Sequence, residues 1–265
     1  MDPARLLAPF EPLRPLVGVL KRSAVLFMAV FAGTTLVPFG PLNATELLAG
    51  AMTNSLAVRL LMWMRAWLLP PQDTLIVLGP FDAFNVIMLV GLYLAVAVTL
   101  PYAVAQVLSF AADALHPRER RLARPLLLGG GGLFLLGALF GLLVVLPPIY
   151  RFSYELQVGM GLAPTISLTS FVDTTFGFVL GLGFAFEIPV LCAALGYLGI
   201  LSSGTMMHYA RFAILGCFVV AFIISPGVGG GIIEGFIGSV LTGLYVCSIW
   251  VVRRIEVRRG NAALA

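Results

Sequence analysis

Acidic side chains in apolar surroundings are the groups of this sequence best placed to do chemistry. Asp173, Glu187 and Glu234 each lie in or at the edge of a long apolar run. An ionised carboxylate in an apolar medium is costly unless it is paired or solvated, so each acid is expected to face protein or water. Such a group can line a polar cavity, exchange a proton or bond to a neighbouring helix.

A further acid lies within a cluster of arginines. The segment SFAADALHPRERRLARPLL at 109–127 carries Glu119 among arginines, with the aromatic Phe110 near its start. A charge run of this kind is typical of a solvated loop that sets the orientation of its neighbours. The acid and the aromatic residue leave open a second interpretation, in which the loop binds a ligand.

The sequence lacks the motifs of two classes of enzyme, the P-loop nucleotide hydrolases and the zinc proteases. Lys21 is the only lysine, so no GxxxxGK[ST] loop can exist, and His116 and His208 belong to no HExxH pair. The 3 cysteines never occur at CxxC spacing and are expected to be small buried hydrophobes. We therefore expect no enzymatic activity, no metal and no cofactor.

The composition identifies the elements that must position these residues. The chain is 60% hydrophobic and 11% charged, with a mean hydropathy of +1.04, whereas soluble domains are about 45–50% apolar and about 25% charged. The apolar runs are long and lack the two-residue alternation of barrel strands, so they predict membrane-spanning helices. The net charge of +4 is explained by the arginines that orient a membrane protein, so it gives no reason to expect a nucleic-acid partner.

Windows of about 20 apolar residues predict six spans in an all-α membrane protein. The fourth is longer than about 30 Å of hydrocarbon requires and is expected to tilt or to bend at Pro189, while the fifth is short. The predicted spans are 23–39, 83–107, 126–146, 170–200, 210–225 and 231–252.

The segment 56–70 is predicted to be an interfacial helix. Its sequence, LAVRLLMWMRAWLLP, holds Arg59 and Arg65 beside Trp63 and Trp67. Cations next to an aromatic belt are typical of an amphipathic helix at the membrane surface.

The distribution of arginines predicts that both termini are cytoplasmic. With six spans, all of the 16 Lys and Arg residues lie inside except Arg59, Arg65 and Arg151. A seventh span at 56–70 would put the loop 111–125 on the wrong face of the membrane.

Helical spacing groups several residues of the fourth span. At 100° per residue one stripe is formed by Asp173, Phe176, Leu180, Gly183 and Glu187. We expect this stripe to line a polar concavity, with Pro189 beside the acid. The alternative is that Glu187 bonds to a neighbouring helix or is protonated.

The order of these segments resembles the TatC family, the multi-spanning core of the twin-arginine protein translocase. The likeness runs from about Pro80 to about Trp250. It rests on SFAADALHPRERRLARPLL, a third span that ends VVLPP, SFVDTTFGFVLGLGFAFEIPV with its FE-x-P element, and RFAILGCFVVAFIISP. The resemblance implies a concave, glove-like bundle that forms one domain over 1–265, with short fifth and sixth spans.

The resemblance also implies a receptor for signal peptides that carry paired arginines. The family's loop acid corresponds to Glu119, and its aromatic neighbour corresponds to Phe110. A carboxylate accepts two parallel N–H bonds from a guanidinium, and lysine cannot reproduce this geometry. Arg120, Arg121 and Arg211 are expected to support the loop by turning toward lipid phosphate or partner acids.

The N-terminal match is partial. The family signature is roughly HLxELR, and this chain has APFEPLRP at 8–15. Arg14 matches, while Glu11 lies one residue before the family's acid and Pro12 occupies its place. Both Glu11 and Arg14 are expected in the signal-peptide site.

Glu187 corresponds to the family's intramembrane glutamate. Together with Asp173 and Pro189 it is expected to line a cavity for the signal peptide's apolar stretch and for partner helices. The implied partners are TatA- and TatB-type single-span subunits, membrane lipid and further copies of the chain. Transport would use the proton gradient across a prokaryotic cell membrane.

Two other functions compete with this interpretation. In a secondary transporter of small solutes Glu187 would be the coupling acid, but spans one to three and four to six show no internal repeat. The second competitor is an assembly protein that binds helices through its glycine-rich faces and moves nothing.

Overall fold

The computed structural model describes residues 14–37, 53–113, 131–225 and 231–263 of the chain. They are almost entirely helical, as the hydropathy predicts. In chain order they form α1 (Arg14–Leu36), α2 (Leu56–Leu68), β1 (Thr74–Ile76), α3 (Asp82–Asp113), α4 (Gly131–Gly159), β2 (Thr165–Ser167), α5 (Leu168–Phe186), α6 (Ile188–Tyr197), α7 (Ser203–His208), α8 (Ala210–Ile224) and α9 (Ile232–Ala263).

Within the residues that the structure describes, five helical stretches are long and apolar enough to cross a membrane. They are Val17–Leu36, Asp82–Val107, Gly131–Gly159, Leu168–Tyr197 and Ile232–Val257. The fifth predicted span corresponds to α8, an apolar helix of 15 residues. At 1.5 Å per residue α8 is about 22 Å long, which is less than the roughly 30 Å of a hydrocarbon core.

The sixth predicted span is not short. Helix α9 runs for 32 residues, from Ile232 to Ala263. It contains no proline, and its polar end RRIEVRR consists largely of good helix formers, so nothing stops the helix where the apolar stretch ends.

The third predicted span does not end at 146. Helix α4 passes through a π-helical turn at Gly141–Val145 and continues as α-helix to Gly159. Leu146 N–H donates to the Gly141 carbonyl, and Pro147 and Pro148 lie in the first turn of the segment that follows. Because first-turn N–H groups need no partner within an α-helix, the two prolines do not break α4.

The predicted bend near Pro189 is confirmed as a break between α5 and α6. Helix α5 ends at Phe186 and α6 begins at Ile188, with Glu187 between them. Glu187 N–H donates to the Phe184 carbonyl at 3.0 Å, which is one residue tighter than an α-helical bond. Pro189 lies in the first turn of α6, where its missing N–H costs least.

Buried side chains of α2, α3, α4, α5, α8 and α9 form one continuous apolar core, and α1 packs against α3. Two glycines permit close approach of helices. A Cβ at Gly91 would lie 2.1 Å from Thr35 Cγ2 of α1, and a Cβ at Gly137 would lie 2.6 Å from the Leu182 carbonyl of α5. Neither contact leaves room for a side chain, so α1–α3 and α4–α5 packing depends on glycine.

A two-stranded parallel sheet joins the beginnings of α3 and α5. Thr74 pairs with Thr165, and Ile76 pairs with Ser167. The Asp82 carboxylate closes the following turn by accepting the N–H groups of Leu78 and Gly79 at 3.0 and 2.7 Å. This end of the bundle is therefore fixed by hydrogen bonds as well as by packing.

Helix α2 is amphipathic, as predicted. Its buried face consists of Ala57, Leu61, Met64 and Leu68. Trp63 and Trp67 are exposed on the rest of its surface. An apolar face against the core and exposed indole rings suit a helix that lies at a membrane surface.

Candidate functional site

Glu187 is a buried acid at the junction of α5 and α6. It is 3% exposed, and its Oε1 atom is buried with no hydrogen-bond partner in the part of the chain that the structure describes. Leaving a buried acceptor unsatisfied costs about 1–3 kcal/mol. The carboxyl group can therefore accept an N–H or O–H donor, or carry a proton itself.

Helices α4 and α9 close around this junction. The Phe186 ring packs on Phe140 of α4, with ring centroids 5.7 Å apart. A Cβ at Gly137 would lie 2.7 Å from Phe186 Cβ, so the glycine lets α4 approach the end of α5. Phe236 of α9 stacks on the same Phe140 ring, with ring centroids 6.1 Å apart. The acid thus lies in a packed region between two helices rather than on an exposed loop.

The middle of the predicted α5 stripe does not line a concavity. Phe176 is buried and stacks on Tyr93 of α3, with centroids 4.9 Å apart. Leu180 packs with Phe134 of α4, and a Cβ at Gly183 would lie 2.8 Å from the Phe134 ring. The expectation is wrong for these three residues because aromatic side chains of α3 and α4 fill the space in front of them.

Asp173 lies at the other end of this stripe and is exposed. Tyr93 O–H donates to its Oδ1 atom at 3.0 Å. Asp173 and Glu187 are 14 positions apart, which corresponds to roughly 21 Å along a helix. The two acids therefore belong to separate sites.

The residues predicted to bind the signal peptide are described only in part. Arg14 is the first residue of α1, and Phe110 lies in the last turn of α3. Outside the described residues lie Glu11, Glu119, Arg120 and Arg121. Arg211, near the start of α8, is exposed, with its guanidinium carbon 4.8 Å from the Phe212 ring centroid.

Sequence reasoning missed a polar contact between α7 and α9. Glu256 Oε1 accepts the Ser203 N–H at 2.8 Å, and Glu256 Oε2 accepts the Ser203 hydroxyl. Tyr245 O–H donates to the Met206 carbonyl at 2.8 Å. Glu256 lies among arginines in RRIEVRR, the same pattern that singled out Glu119, yet here the acid binds the start of a helix.

Asp73 was also missed, since PPQD is typical of an ordinary turn. It is 2% exposed, and neither carboxylate oxygen has a partner among the residues that the structure describes. Burial raises the pKa of this carboxyl above its usual range. Together with Arg65 and Pro70 it lines a cavity of about 360 Å³.

A metal centre finds no support in the described ranges. There, no three His, Cys, Asp or Glu side chains cluster closely enough to hold an ion. Cys192, Cys217 and Cys247 are free thiols, and Cys217 is buried as expected. The expectation of burial is wrong for Cys192, which is half-buried, and for Cys247, which is exposed.

Comparison with known proteins gives a consistent result. The family model described as Sec-independent protein translocase protein (TatC) matches residues 13–230. The TatC protein of Helicobacter pylori strain J99 is 32% identical over 186 residues, covering 70% of this chain and 73% of the relative. That of Cenarchaeum symbiosum strain A is 27% identical over 209 residues, covering 79% of each chain.

A solved structure extends the similarity to the fold. The crystal structure of the twin arginine translocase receptor TatC superposes with a TM-score of 0.73 at 25% sequence identity. The match covers 93% of this chain and 100% of the solved one.

Proposed function

Because the chain belongs to the TatC family of Sec-independent protein translocase proteins, we propose that it is the signal-peptide receptor and core scaffold of a twin-arginine translocase. Membership makes it a multi-pass protein of a prokaryotic cytoplasmic membrane and a component of protein transport. The proposed activity is export of folded proteins, driven by the proton gradient. The observation that carries this proposal is the buried Oε1 atom of Glu187 at the α5–α6 junction, which has no hydrogen-bond donor among the described residues.

The proposed topology has six spans and places both termini in the cytoplasm, within one glove-shaped domain over 1–265. Helix α8 is the fifth span, and the bilayer thins beside it because α8 is about 22 Å long. The concentration of arginines on one side of this arrangement supports the orientation.

Recognition of the signal peptide is assigned to Glu119, with Glu11, Arg14 and Phe110 beside it. Arginine is preferred to lysine because the planar guanidinium donates two parallel N–H bonds to one carboxylate. Positively charged neighbours would repel the peptide if they faced it. Arg120, Arg121 and Arg211 are therefore assigned to lipid phosphate or to acids of partner subunits.

Glu187 is proposed to receive the next part of the ligand. Its unsatisfied oxygen accepts a donor from the signal peptide or from a partner helix, and Pro189 keeps the α5–α6 break open beside it. Asp173 provides a separate polar point, already bonded to Tyr93. The partners in this proposal are TatA- and TatB-type single-span subunits and further copies of the chain, with no nucleic acid.

A crosslinking experiment tests the receptor function. A photoreactive amino acid at Leu122, close to Glu119 in the sequence, is illuminated in membranes with a signal peptide that carries RR or its KK variant. We expect the RR adduct to exceed the KK adduct about tenfold, since a hydrogen bond to a charged group contributes about 1.5–3 kcal/mol. Glu119→Gln should lower the RR adduct to the KK level.

The control is Glu155→Gln, which removes an exposed carboxylate of α4 that pairs with Arg151. It should leave the RR adduct unchanged. Equal labelling by the RR and KK peptides in the unaltered chain contradicts the proposal.

A further inference from the structure

One face of α9 carries a basic and aromatic cavity that the proposed function does not use. Trp250, Arg253, Arg254 and Val257 line a cavity of about 370 Å³. Their spacing of three, four and seven residues places all four side chains on one side of the helix.

The guanidinium of Arg254 is already oriented within this cavity. Its carbon atom lies 3.5 Å from the centroid of the Trp250 ring, in cation–π contact. Stacking occupies the flat face of a guanidinium and leaves its N–H edges free to donate. Trp250 and Val257 are exposed, so a ligand reaches this face from outside the bundle.

Neither arginine is neutralised by the part of the protein that is described. Among the described residues, no carboxylate lies within ion-pair distance of Arg253 or Arg254. Glu256 follows Arg254 by two residues on α9. Its carboxylate accepts two hydrogen bonds from Ser203 and does not pair with either arginine. Within the described ranges the two guanidinium groups therefore present positive charge that no carboxylate neutralises, together with several N–H donors.

The length of α9 places this cavity at the membrane surface. Trp250 lies 18 positions after Ile232, which is about 27 Å along the helix, and Val257 lies at about 38 Å. The hydrocarbon core is about 30 Å thick, so the four residues bracket its edge. Tryptophan and arginine are the side chains that anchor helices at this depth.

We propose that this face of α9 binds the phosphate of an anionic phospholipid headgroup. Arg253 and Arg254 donate N–H bonds to the phosphate oxygens, and Trp250 holds Arg254 in place at the level of the headgroup. The proposal does not depend on the receptor function, because it rests only on α9.

Native mass spectrometry of the full-length protein in detergent tests the site. The protein is titrated with phosphatidylglycerol, with phosphatidylcholine of the same acyl chains, and with glycerol 3-phosphate. Each arginine near a membrane surface contributes about fivefold to binding of anionic lipid, so Arg253→Gln with Arg254→Gln should weaken phosphatidylglycerol binding about 30-fold. Phosphatidylcholine binding should not change.

A matched control removes two arginines elsewhere. Arg65→Gln with Arg151→Gln makes the same change in net charge away from α9 and should leave phosphatidylglycerol binding within about twofold of the parent. Trp250→Leu keeps both charges and should weaken binding about two- to fivefold, since an exposed cation–π contact contributes about 0.5–1 kcal/mol. Unchanged circular dichroism and thermal midpoints show that each variant is folded.

Three results overturn the proposal. The first is unaltered phosphatidylglycerol binding by the Arg253→Gln, Arg254→Gln variant. The second is an equal loss in the Arg65→Gln, Arg151→Gln control, which makes the effect one of net charge alone. The third is binding of glycerol 3-phosphate as tightly as the lipid, which assigns the site to free phosphate compounds.

Discussion

Two buried polar groups on α5 behave in opposite ways. Near the beginning of the helix, Tyr150 O–H of α4 lies 2.8 Å from Thr175 Oγ1 and donates to the Phe171 carbonyl at 3.1 Å. At its end, Glu187 is equally buried but has no partner for Oε1 among the described residues. Both places are apolar and tightly packed, so the difference lies in the hydrogen bonds.

The difference separates a structural polar group from a candidate functional one. A satisfied buried network joins two helices, because breaking it leaves a donor or acceptor without water. An unsatisfied buried acceptor lowers stability and is available to a ligand. Burial alone would rank Thr175 and Glu187 together, whereas the hydrogen bond of Thr175 places it in α4–α5 packing and the unsatisfied Oε1 of Glu187 makes that residue a candidate for function.

The largest expected effect is the loss of transport in Glu187→Ala. Export of a reporter with an RR signal peptide, in cells whose own TatC has been removed, should fall more than tenfold. The thermal midpoint of the purified variant should stay near that of the parent, because removal of an unsatisfied acceptor offsets the small cavity that alanine leaves.

Glu187→Gln separates two explanations of that loss. Glutamine keeps an acceptor oxygen but cannot exchange a proton. Export by Glu187→Gln means that the side chain acts as a polar lining, and loss of export means that proton exchange is required. If Glu187→Ala instead loses much of its stability and retains export, Glu187 is a structural residue like Thr175 and the comparison between the two regions is wrong.

The opposite pattern is expected for Tyr150→Phe. The variant leaves the Thr175 hydroxyl without its partner, so the free energy of unfolding in mild detergent should fall by about 1–3 kcal/mol. Export measured well below the thermal midpoint should be unchanged. Adding Thr175→Val removes the second polar group and should restore part of the stability, and failure to do so would show that the hydroxyls do not interact.

Hydropathy predicted the helical elements of this fold because lipid requires every backbone group to bond within its own helix. It failed where local chemistry overrides the pattern. Pro147 and Pro148 suggest a helix end, but the π-helical turn before them lets α4 continue to Gly159. The strands β1 and β2 have three residues each and lie far apart in the sequence, so neither carries a periodic signal.

The candidate site was predicted less completely than the helices. Glu187 could be identified from the sequence because an acid within a long apolar run is costly to place in a membrane. Whether a polar group has a partner depends on residues distant in sequence, such as Tyr93 for the exposed Asp173 and Tyr150 for the buried Thr175. Asp73 illustrates the same difficulty, because only packing reveals that this turn residue is buried.

Asp73 gives the smallest expected effect and extends the comparison outside the spans. Burial raises the pKa of its carboxyl, so the folded protein binds more protons than the unfolded chain between the usual pKa of about 3.9 and the raised value. Stability contributed by Asp73 is therefore lost as pH rises through that window. Asp73→Asn keeps the shape without the charge, so its thermal midpoint should exceed the parent's at pH 7.5, and the difference should shrink toward pH 4. If the thermal midpoints of the two proteins instead change with pH in parallel, the Asp73 carboxylate has a hydrogen-bond or charge partner in the folded protein.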